Sequence, residues 1–259
     1  GAAASHSRQP PRRFWGWGLA DATLDQRERA ILQAMLTSVG AQFEDKPAPR
    51  VEEFDLPLPR VTPPATLAAC FSASPLDRLN HSGGKSYADC ARMWLRRPPS
   101  APDWVAFPDD EQAVVDILDW AQVRNVAVIP YGGGSSVCGG VEAAVGSGFA
   151  GTVSIDLERL NRVLEVDPIS RAARIQAGAL GPELAAQLKA HRLTLRHFPQ
   201  SFEFSSLGGW IATRAGGHYA TLHTHIDDFV EATRLVTPVG VMQTRRLPGS
   251  GAGPAPDRL

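Results

Sequence analysis

A glycine-rich segment directly after a short apolar run has the clearest chemical potential in this sequence. Val126 to Ile129 are β-formers and predict a buried strand. Gly132-Gly133-Gly134 and Ser135-Ser136 follow almost at once. Because glycine has no side chain and can adopt positive φ, successive N–H groups in such a run can point inward and hold an anion. With two serine hydroxyls at the rim, the segment predicts a site for a phosphate-bearing ligand such as a dinucleotide pyrophosphate.

A second cluster of glycines and hydroxyls lies between His197 and Gly217. Gly208-Gly209, followed by small residues, suits a helix start that lies against a ligand, where the backbone approaches closely. A glycine turn between a strand and a helix is the alternative interpretation. Around the first cluster the sequence has neither G-x-x-x-x-G-K-[ST] nor a G-x-G-x-x-G that opens a helix, which excludes the two usual nucleotide loops.

The composition is that of an ordinary globular chain with room for a real core. Hydrophobic residues make up 43% and charged residues 20% of its 259 residues. The formal net charge is −1 and no block of like charge occurs, which argues against nucleic acid as a partner. Cys70, Cys90 and Cys138 are odd in number and lack C-x-x-C spacing, as expected of free thiols in a reducing compartment. No apolar run is long enough to cross a bilayer.

The first hundred residues predict few regular elements. Residues 1–13 are small, polar and basic, and we interpret them as a disordered lead. Phe14-Trp-Gly-Trp-Gly18 is interpreted as an aromatic anchor, with an aromatic wall of a site as the alternative. Thr23-Leu-Asp-Gln26 has a capping-box pattern before an amphipathic helix over residues 24–39. The prolines of residues 56–64 predict an extended connector.

A β-α-β unit is predicted from Pro102 onward. It comprises strand Trp104–Phe107, a helix capped by Asp109 with Val114, Leu118 and Ala121 on one face, and strand Val126–Ile129. Further elements follow: an alternating strand Thr152–Leu157, strands Arg162–Val166 and Ala173–Ala177, a helix Pro182–His191, and a hairpin of Phe229–Val236 with Val239–Thr244.

The two glycine clusters together resemble a known flavoprotein family. Pro130-Tyr-Gly-Gly-Gly-Ser-Ser-Val137 resembles the P-x-G-G-G-[TS]-S loop of the vanillyl-alcohol-oxidase (PCMH-type) family. Pro199 to Ala215 resembles the P-x-S-x-E-F-S-x-x-G-G-W-x-x-T-R-A segment of its alkyldihydroxyacetonephosphate synthase branch. The same branch is indicated by Trp15–Gly18, by Asp77-Arg78 with His81, and by Ile226–Asp228 leading into Val236–Gly240. The resemblance covers residues 14–259.

The resemblance implies an α+β fold in which a PCMH-type FAD-binding domain of two α+β subdomains follows a helical N-terminal segment. The expected divisions are a disordered lead (1–13), a helical and extended segment (14–100) and the FAD-binding domain (101–259). The family continues to another glycine-rich loop and a cap domain, neither of which occurs in this sequence. Because the family continues beyond the point where this sequence stops, and because residue 1 is Gly rather than Met, we expect a fragment truncated at both ends, without its targeting segment.

The resemblance also implies which residues bind FAD, without covalent attachment. In the first cluster these are Pro130, Tyr131, Gly132, Gly133, Gly134, Ser135, Ser136 and Val137. In the second they are Pro199, Gln200, Ser201, Phe202, Glu203, Phe204, Ser205, Gly208, Gly209, Ala212, Thr213, Arg214 and Ala215. Two positions depart from the family pattern: Ser135 replaces the commoner Thr, and Tyr131 is larger than the usual aliphatic residue.

Other polar residues have alternative interpretations. His218, His223 and His225 are interpreted as polar residues near the flavin or as solvated. On a strand, His223 and His225 would face the same side, but a metal site needs a third ligand and a closed geometry, and neither is evident. Arg214 is suited either to a phosphate or to a local carboxylate such as Glu203. Cys138 is interpreted as a small buried thiol rather than a flavin attachment point, and Asp227-Asp228 as a cap or solvated turn rather than an ion site.

By resemblance, the function is exchange of the acyl group of acyl-glycerone phosphate for a fatty alcohol in ether-lipid biosynthesis. The branch places its acid tyrosine and a histidine group in the cap, so no catalytic residue is assigned here. An FAD-dependent dehydrogenase of a 2-hydroxy acid such as D-lactate and a non-catalytic FAD-binding remnant are the alternatives. Expected partners are a lipid-phosphate substrate, a membrane surface bound peripherally and a second copy of the chain. The expected location is cytoplasmic in a bacterium or peroxisomal in a eukaryote.

Overall fold

The computed structural model describes residues 7–41, 46–221 and 225–246, which form a mixed α and β structure. The helices are α1 (Gln26–Ser38), α2 (Pro75–Asn80), α3 (Tyr87–Trp94), α4 (Glu111–Val123), α5 (Gly181–Lys189) and α6 (Leu207–Thr213). The strands are β1 (Phe71–Ser72), β2 (Trp104–Ala106), β3 (Val126–Tyr131), β4 (Gly151–Asp156), β5 (Val163–Asp167), β6 (Ala172–Ile175), β7 (Arg234–Thr237) and β8 (Gly240–Gln243).

The first glycine cluster leaves the edge of a four-stranded sheet with the order β1-β2-β4-β3. Strands β2, β4 and β3 are parallel, and β1 pairs antiparallel with β2. The predicted β-α-β unit is present, with β4 inserted between its two strands. Helix α4 buries Ile117, Leu118 and Ala121, and these residues belong to the core cluster that includes Val153 and Ile155 of β4.

Three predicted details of this sheet and of helix α4 are wrong. All six residues of β4 are buried, so it does not alternate, because a central parallel strand is covered on both faces. Strand β3 continues through Pro130 to Tyr131, which an edge strand tolerates because the missing N–H need not face a partner. Helix α4 is capped by Asp110, which accepts from Ala113 N at 2.8 Å, while Asp109 pairs with Arg159 at 3.2 Å.

Two antiparallel hairpins follow, β5 with β6 and β7 with β8. In the second, Thr237 pairs with Gly240, so the predicted hairpin is confirmed, although its second strand begins at Gly240 rather than at Val239. The strand predicted from Phe229 begins only at Arg234. Residues Ile226–Phe229 instead form a 3-10 turn, because Asp228 accepts from the His225 backbone N–H and favours a turn.

The N-terminal residues 7–13 are structured, which corrects the disorder expected there; residues 1–6 lie outside the described residues. Ser7 Oγ and Arg8 N both donate to the buried Glu158 at 2.5 Å, so this acceptor holds the segment. Phe14 then packs edge-to-face on Phe54 with ring centroids 5.5 Å apart, as an aromatic anchor would.

Helix α1 is capped by Asp25 rather than Thr23. Asp25 and Glu28 form a reciprocal capping box at 2.7 and 2.8 Å. No residue of α1 is buried, and its apolar side chains, among them Ile31 and Met35, are exposed. Within the described ranges, no helix combines the length and the apolarity needed to span a membrane.

Asp103 joins the N-terminal segment to the sheet. Its carboxylate accepts hydrogen bonds from Arg60 N, Nε and Nη2 at 2.7–3.2 Å, and from Thr152 N and Oγ1 at 2.7 and 3.1 Å. Burial acts to raise the pKa of Asp103, but the bonds from Arg60 and Thr152 outweigh it and hold the pKa below 3.8. The sheet also crosses the predicted domain boundary at 100/101, because β1 lies before residue 100 and pairs with β2. The boundary itself stays a prediction.

We expect Asp103→Asn to lower the free energy of unfolding by about 1–3 kcal/mol. This is less than the loss of one partner of a fully buried ion pair would cost, because the Arg60 side chain is half exposed and water screens its charge. The amide replaces one acceptor with a donor that faces other donors. Chemical denaturation of the variant measures the loss, and Asp55→Asn, at an exposed carboxylate, is the matched control.

The stability that Asp103 contributes depends on pH in a defined direction. A depressed carboxyl pKa stabilises the fold above the unfolded pKa, and this stabilisation is lost as the pH falls below 3.8 through the folded pKa. The parent should therefore lose stability in acid more steeply than Asp103→Asn. Equal acid sensitivity of the two proteins would contradict this role.

Candidate functional site

The two glycine clusters lie against each other. A Cβ added at Gly132 would lie 3.1 Å from Ser206 Cβ, and one added at Gly133 would lie 2.6 Å from the Phe204 carbonyl carbon. Both separations are closer than ordinary van der Waals contact allows. Gly133 therefore permits a close backbone approach and Gly132 makes room for the Ser206 side chain. The structure thus brings the first predicted cluster to residues 204–206 of the second.

The loop after β3 presents a run of free backbone donors. The N–H groups of residues 133–137 donate no hydrogen bond to any described residue. Of the three glycines only Gly134 has positive φ, at 67°, so the expectation of unusual backbone angles holds at this one position. Five successive unpaired amides fit an anion, since each such group otherwise lacks an acceptor.

The two serines of the loop differ in what their hydroxyls do. Ser136 Oγ accepts from Cys138 N at 3.4 Å and from Gly140 N at 3.1 Å, which closes the turn after the loop. Ser135 Oγ makes no hydrogen bond within the described part of the chain and is half-buried. Ser135 is therefore the hydroxyl of this loop that is available to a ligand.

A buried polar group lies next to the loop and supports it. The Tyr131 hydroxyl donates to the Asn80 carbonyl at 2.9 Å, and the ring lies on His81 with centroids 4.0 Å apart. His81 Nε2 is 2.9 Å from Asp156 Oδ2 at the end of β4. Burial, and then the charge of Asp156, raise the pKa of Tyr131. Because a Cβ at Gly134 would overlap the Tyr131 ring and hydroxyl, Tyr131 supports the loop by packing.

Residues 11–20, here called the N-terminal strap, pass over the loop. Arg12 Nη1 donates to the Gly133 carbonyl at 3.1 Å, and the Arg12 guanidinium lies 5.4 Å from the centre of the Phe204 ring. Trp17 contacts the same ring at 6.0 Å. Trp17 is thus both part of an anchor and part of the site surface, so the two interpretations of the aromatic opening coexist.

The second cluster forms the start of α6. Ser206 caps the helix by accepting from Gly209 N at 3.3 Å, and Trp210 Nε1 donates to Ser205 Oγ at 2.6 Å. A Cβ at Gly208 would lie 2.8 Å from Ala177 Cβ. The helix start predicted at Gly208-Gly209 is therefore confirmed, with Leu207 as its first residue.

The remaining predicted residues of this cluster have varied surroundings. Phe202 packs on Trp210 at 6.1 Å within the second core cluster, and Ser201 accepts from Ser205 Oγ at 2.8 Å. Pro199 is buried and Ala215 is half-buried, whereas exposed positions are occupied by Gln200, Glu203, Gly209, Ala212 and Thr213.

His197 begins this segment with a buried ring that is 3% exposed. Its Nε2 has no hydrogen-bond partner among the described residues, and the ring lies 5.0 Å from Trp210. Burial and then His225 lower the pKa of His197. It lines a small pocket together with Leu184, Leu188 and Phe202.

Arg214 was expected to bind either a phosphate or a nearby carboxylate such as Glu203. It forms an ion pair with a carboxylate at 2.9 Å, but the partner is Asp227 rather than Glu203. Asp228 accepts from the His225 N–H, as the capping interpretation expects.

His218 Nδ1 lies 2.8 Å from the Phe198 carbonyl, and His223 lies outside the described residues. Among the described residues no three His, Cys, Asp or Glu side chains are grouped as metal ligands.

Cys138 is exposed, which corrects the expectation of a buried thiol. Its Sγ lies 3.6 Å from Ser136 Oγ, at the end of the glycine loop. A loop of small residues at the molecular surface has too little apolar volume around it to enclose a thiol, which is the physical reason for the difference.

Sequence reasoning missed three residues at this site. Ser206 was passed over between two predicted positions, although S-x-x-G at a helix start is a recognisable cap. Arg12 and Lys85 are far from the loop in sequence, and no local pattern predicts their contact with it. Lys85 N donates to the Ser136 carbonyl at 2.7 Å, and a Cβ at Gly84 would lie 2.9 Å from the Ser136 carbonyl carbon.

Comparison with known proteins agrees with this geometry. The sequence model of the FAD binding domain family matches residues 102–245, more than half of the chain. An alkyldihydroxyacetonephosphate synthase from Dictyostelium discoideum is 36% identical over 237 residues, covering 87% of this chain and 38% of that protein. A D-2-hydroxyglutarate dehydrogenase from Xanthomonas citri pv. viticola is 33% identical over 152 residues, covering 58% of this chain and 30% of that protein.

A solved structure of an alkyldihydroxyacetonephosphate synthase superimposes with a TM-score of 0.80 at 30% identity, over 90% of this chain and 49% of that chain. The predicted PCMH-type fold is thereby confirmed. The chain spans less than half of the length of each of these three proteins. The matched family region contains both glycine clusters but neither the N-terminal strap nor Lys85. By this match and by the loop geometry that accompanies it, the chain belongs to the FAD binding domain family.

Proposed function

We propose that the joined glycine clusters bind FAD, with its diphosphate on the free amides of residues 133–137. The observation that carries this proposal is the run of five unpaired N–H groups next to a close backbone contact. Ser135 supplies a free hydroxyl, and Arg12 and Lys85 lie beside the loop. The residues present therefore fit a doubly charged diphosphate, and the flavin is held without a covalent bond.

We propose further that the whole protein is an alkylglycerone-phosphate synthase, which exchanges the acyl group of acyl-glycerone phosphate for a fatty alcohol. The likeness to two synthases, one of them over 90% of this chain, supports this activity over the alternatives. Bound FAD would supply an electrophilic ring for the exchange. The residues described here bind and orient that group, and we assign none of them to proton transfer.

A 2-hydroxy-acid dehydrogenase remains the second candidate, because the D-2-hydroxyglutarate dehydrogenase matches more than half of the chain. That match covers less of the chain than the match to the Dictyostelium synthase. Peripheral membrane association, a homodimer and the cellular location remain predictions that accompany the synthase proposal.

The experiment uses protein expressed from the full reading frame. It should purify yellow, and acid precipitation should release the flavin into the supernatant. Palmitoyl-glycerone phosphate with hexadecanol, and in parallel D-2-hydroxyglutarate and D-lactate with a dye acceptor, distinguish the candidates. Acyl exchange supports the synthase, and dye reduction alone would support the dehydrogenase. Colourless protein that does not bind added FAD would contradict both.

Ser135→Ala should weaken FAD binding by about tenfold without changing stability, because the hydroxyl has no partner in the protein and can donate to a charged oxygen. Ser136→Ala is the matched variant. It removes the acceptor for two loop amides, so we expect it to lower the thermal midpoint as well. Titration of FAD into apoprotein, followed by flavin fluorescence, measures the affinities. Equal FAD affinity of Ser135→Ala and the parent would remove Ser135 from the site.

Gly133→Ala should destabilise the protein by about 1–3 kcal/mol, because its Cβ meets the backbone of Phe204 and the two loops must separate. Gly146→Ala is the control, since a Cβ there meets nothing within 4 Å, and its effect should stay within about 0.5 kcal/mol. Chemical denaturation of both apoproteins measures the difference. An unchanged midpoint for Gly133→Ala would show that the loops do not require this close approach.

A further inference from the structure

The N-terminal strap is held in place by an internal bridge and by contacts with Trp94 and Lys85. Arg12 pairs with Leu19 in an isolated antiparallel bridge, which closes the strap on itself. Trp15 packs on Trp94 of α3 with ring centroids 5.1 Å apart. Trp17 Nε1 donates to the Lys85 carbonyl at 3.0 Å. The strap is therefore a fixed part of the structure where it crosses the glycine loop.

Two cations lie at this crossing. Lys85 Nζ donates to the Arg13 and Phe14 carbonyls at 3.2 and 3.1 Å. An ammonium has three N–H donors, and the third has no acceptor within the described ranges. The Arg12 guanidinium bonds the Gly133 carbonyl and lies over Phe204. Among the described residues, no carboxylate forms an ion pair with Arg12 or Lys85.

The two cations face a shared cavity. Its lining includes Arg12, Trp17, Lys85, Gly133 and Phe204. Its lining combines two cations, an aromatic surface and the glycine loop without any carboxylate, which favours a compact anion.

We propose that the N-terminal strap is the second wall of the cofactor site, in which Arg12 and Lys85 bind the diphosphate that the glycine loop holds from the other side. The inference rests on the proposed binding of FAD and deepens it. It assigns part of the dinucleotide site to residues 12–17 and 85, outside the region that the family model matches. The ligand class is a diphosphate ester, and flavin mononucleotide or riboflavin would lose these contacts.

The proposal also predicts a pH dependence. Burial, with a smaller effect of Arg12, lowers the pKa of Lys85 to about 8. The other titratable groups facing Lys85 are Asp89 and Cys90 at the start of α3, and burial raises the pKa of the Cys90 thiol above 9.0, so it stays neutral near pH 8. Lys85 is therefore charged below pH 8, and FAD affinity should fall as the pH rises through 8.

The test compares Arg12→Gln and Lys85→Gln with Arg27→Gln in protein from the full reading frame. Arg27 is exposed on α1 and is the control for the loss of one positive charge. FAD, flavin mononucleotide, ADP and riboflavin are titrated into each apoprotein, and circular dichroism checks the fold. We expect Arg12→Gln and Lys85→Gln to weaken FAD by about tenfold or more, to weaken ADP in parallel and to leave riboflavin unchanged. Lys85→Arg should retain affinity and lose the decline above pH 8.

The outcomes separate the two proposals. If the parent binds FAD and both glutamine variants bind it within about twofold of Arg27→Gln, the strap is structural and the inference is wrong. If riboflavin binding falls as much as FAD binding, the variants act through the fold and the inference is also wrong. If the parent itself binds no FAD, the proposed cofactor function fails and not merely the role of the strap.

Discussion

The close approach of residues 204–206 to Gly132 and Gly133 determines how the rest of this structure is arranged. A Cβ at Gly133 would meet the backbone of Phe204 and Ser205, and a Cβ at Gly132 would meet the Ser206 side chain. This approach joins the edge of the parallel sheet to the start of α6, two units with separate apolar cores. A surface at such a junction can present donors from both units to one ligand. The absence of side chains at two positions is thus what creates the site.

Unpaired amides carry a cost that the fold must offset. Each N–H of residues 133–137 without an acceptor loses the free energy of a hydrogen bond if it is shielded from water. Packing from Tyr131, His81 and the N-terminal strap holds the loop open to an anion in spite of this cost. A diphosphate would satisfy several donors at once, and its binding would therefore stabilise the folded chain in proportion to ligand concentration.

Local sequence patterns predict α1, α4, α5, most of the strands after residue 100 and the two clusters, because each depends on residues near one another in the chain; α2, α3 and β1 were not predicted. The β-α-β unit and the helix start at Gly208-Gly209 were found in this way. Contacts between distant residues were not predictable: Arg12 reaches Gly133 across 121 positions, and Asp103 joins Arg60 to Thr152. Burial was also misjudged where tertiary context decides it, as in β4, whose two faces are both covered by other elements. Asp110 replaced Asp109 as a helix cap because Asp109 has an ion-pair partner.

Hydrogen–deuterium exchange with and without FAD tests the central claim most directly, because it reports on the backbone amides themselves. Saturating FAD should slow exchange in peptides that contain residues 133–137. The strap peptide and the start of α6 should show the same protection, whereas the exposed helix α1 should exchange at an unchanged rate. Protection that is absent from residues 133–137 while FAD is demonstrably bound elsewhere would contradict the assignment of the diphosphate to this loop.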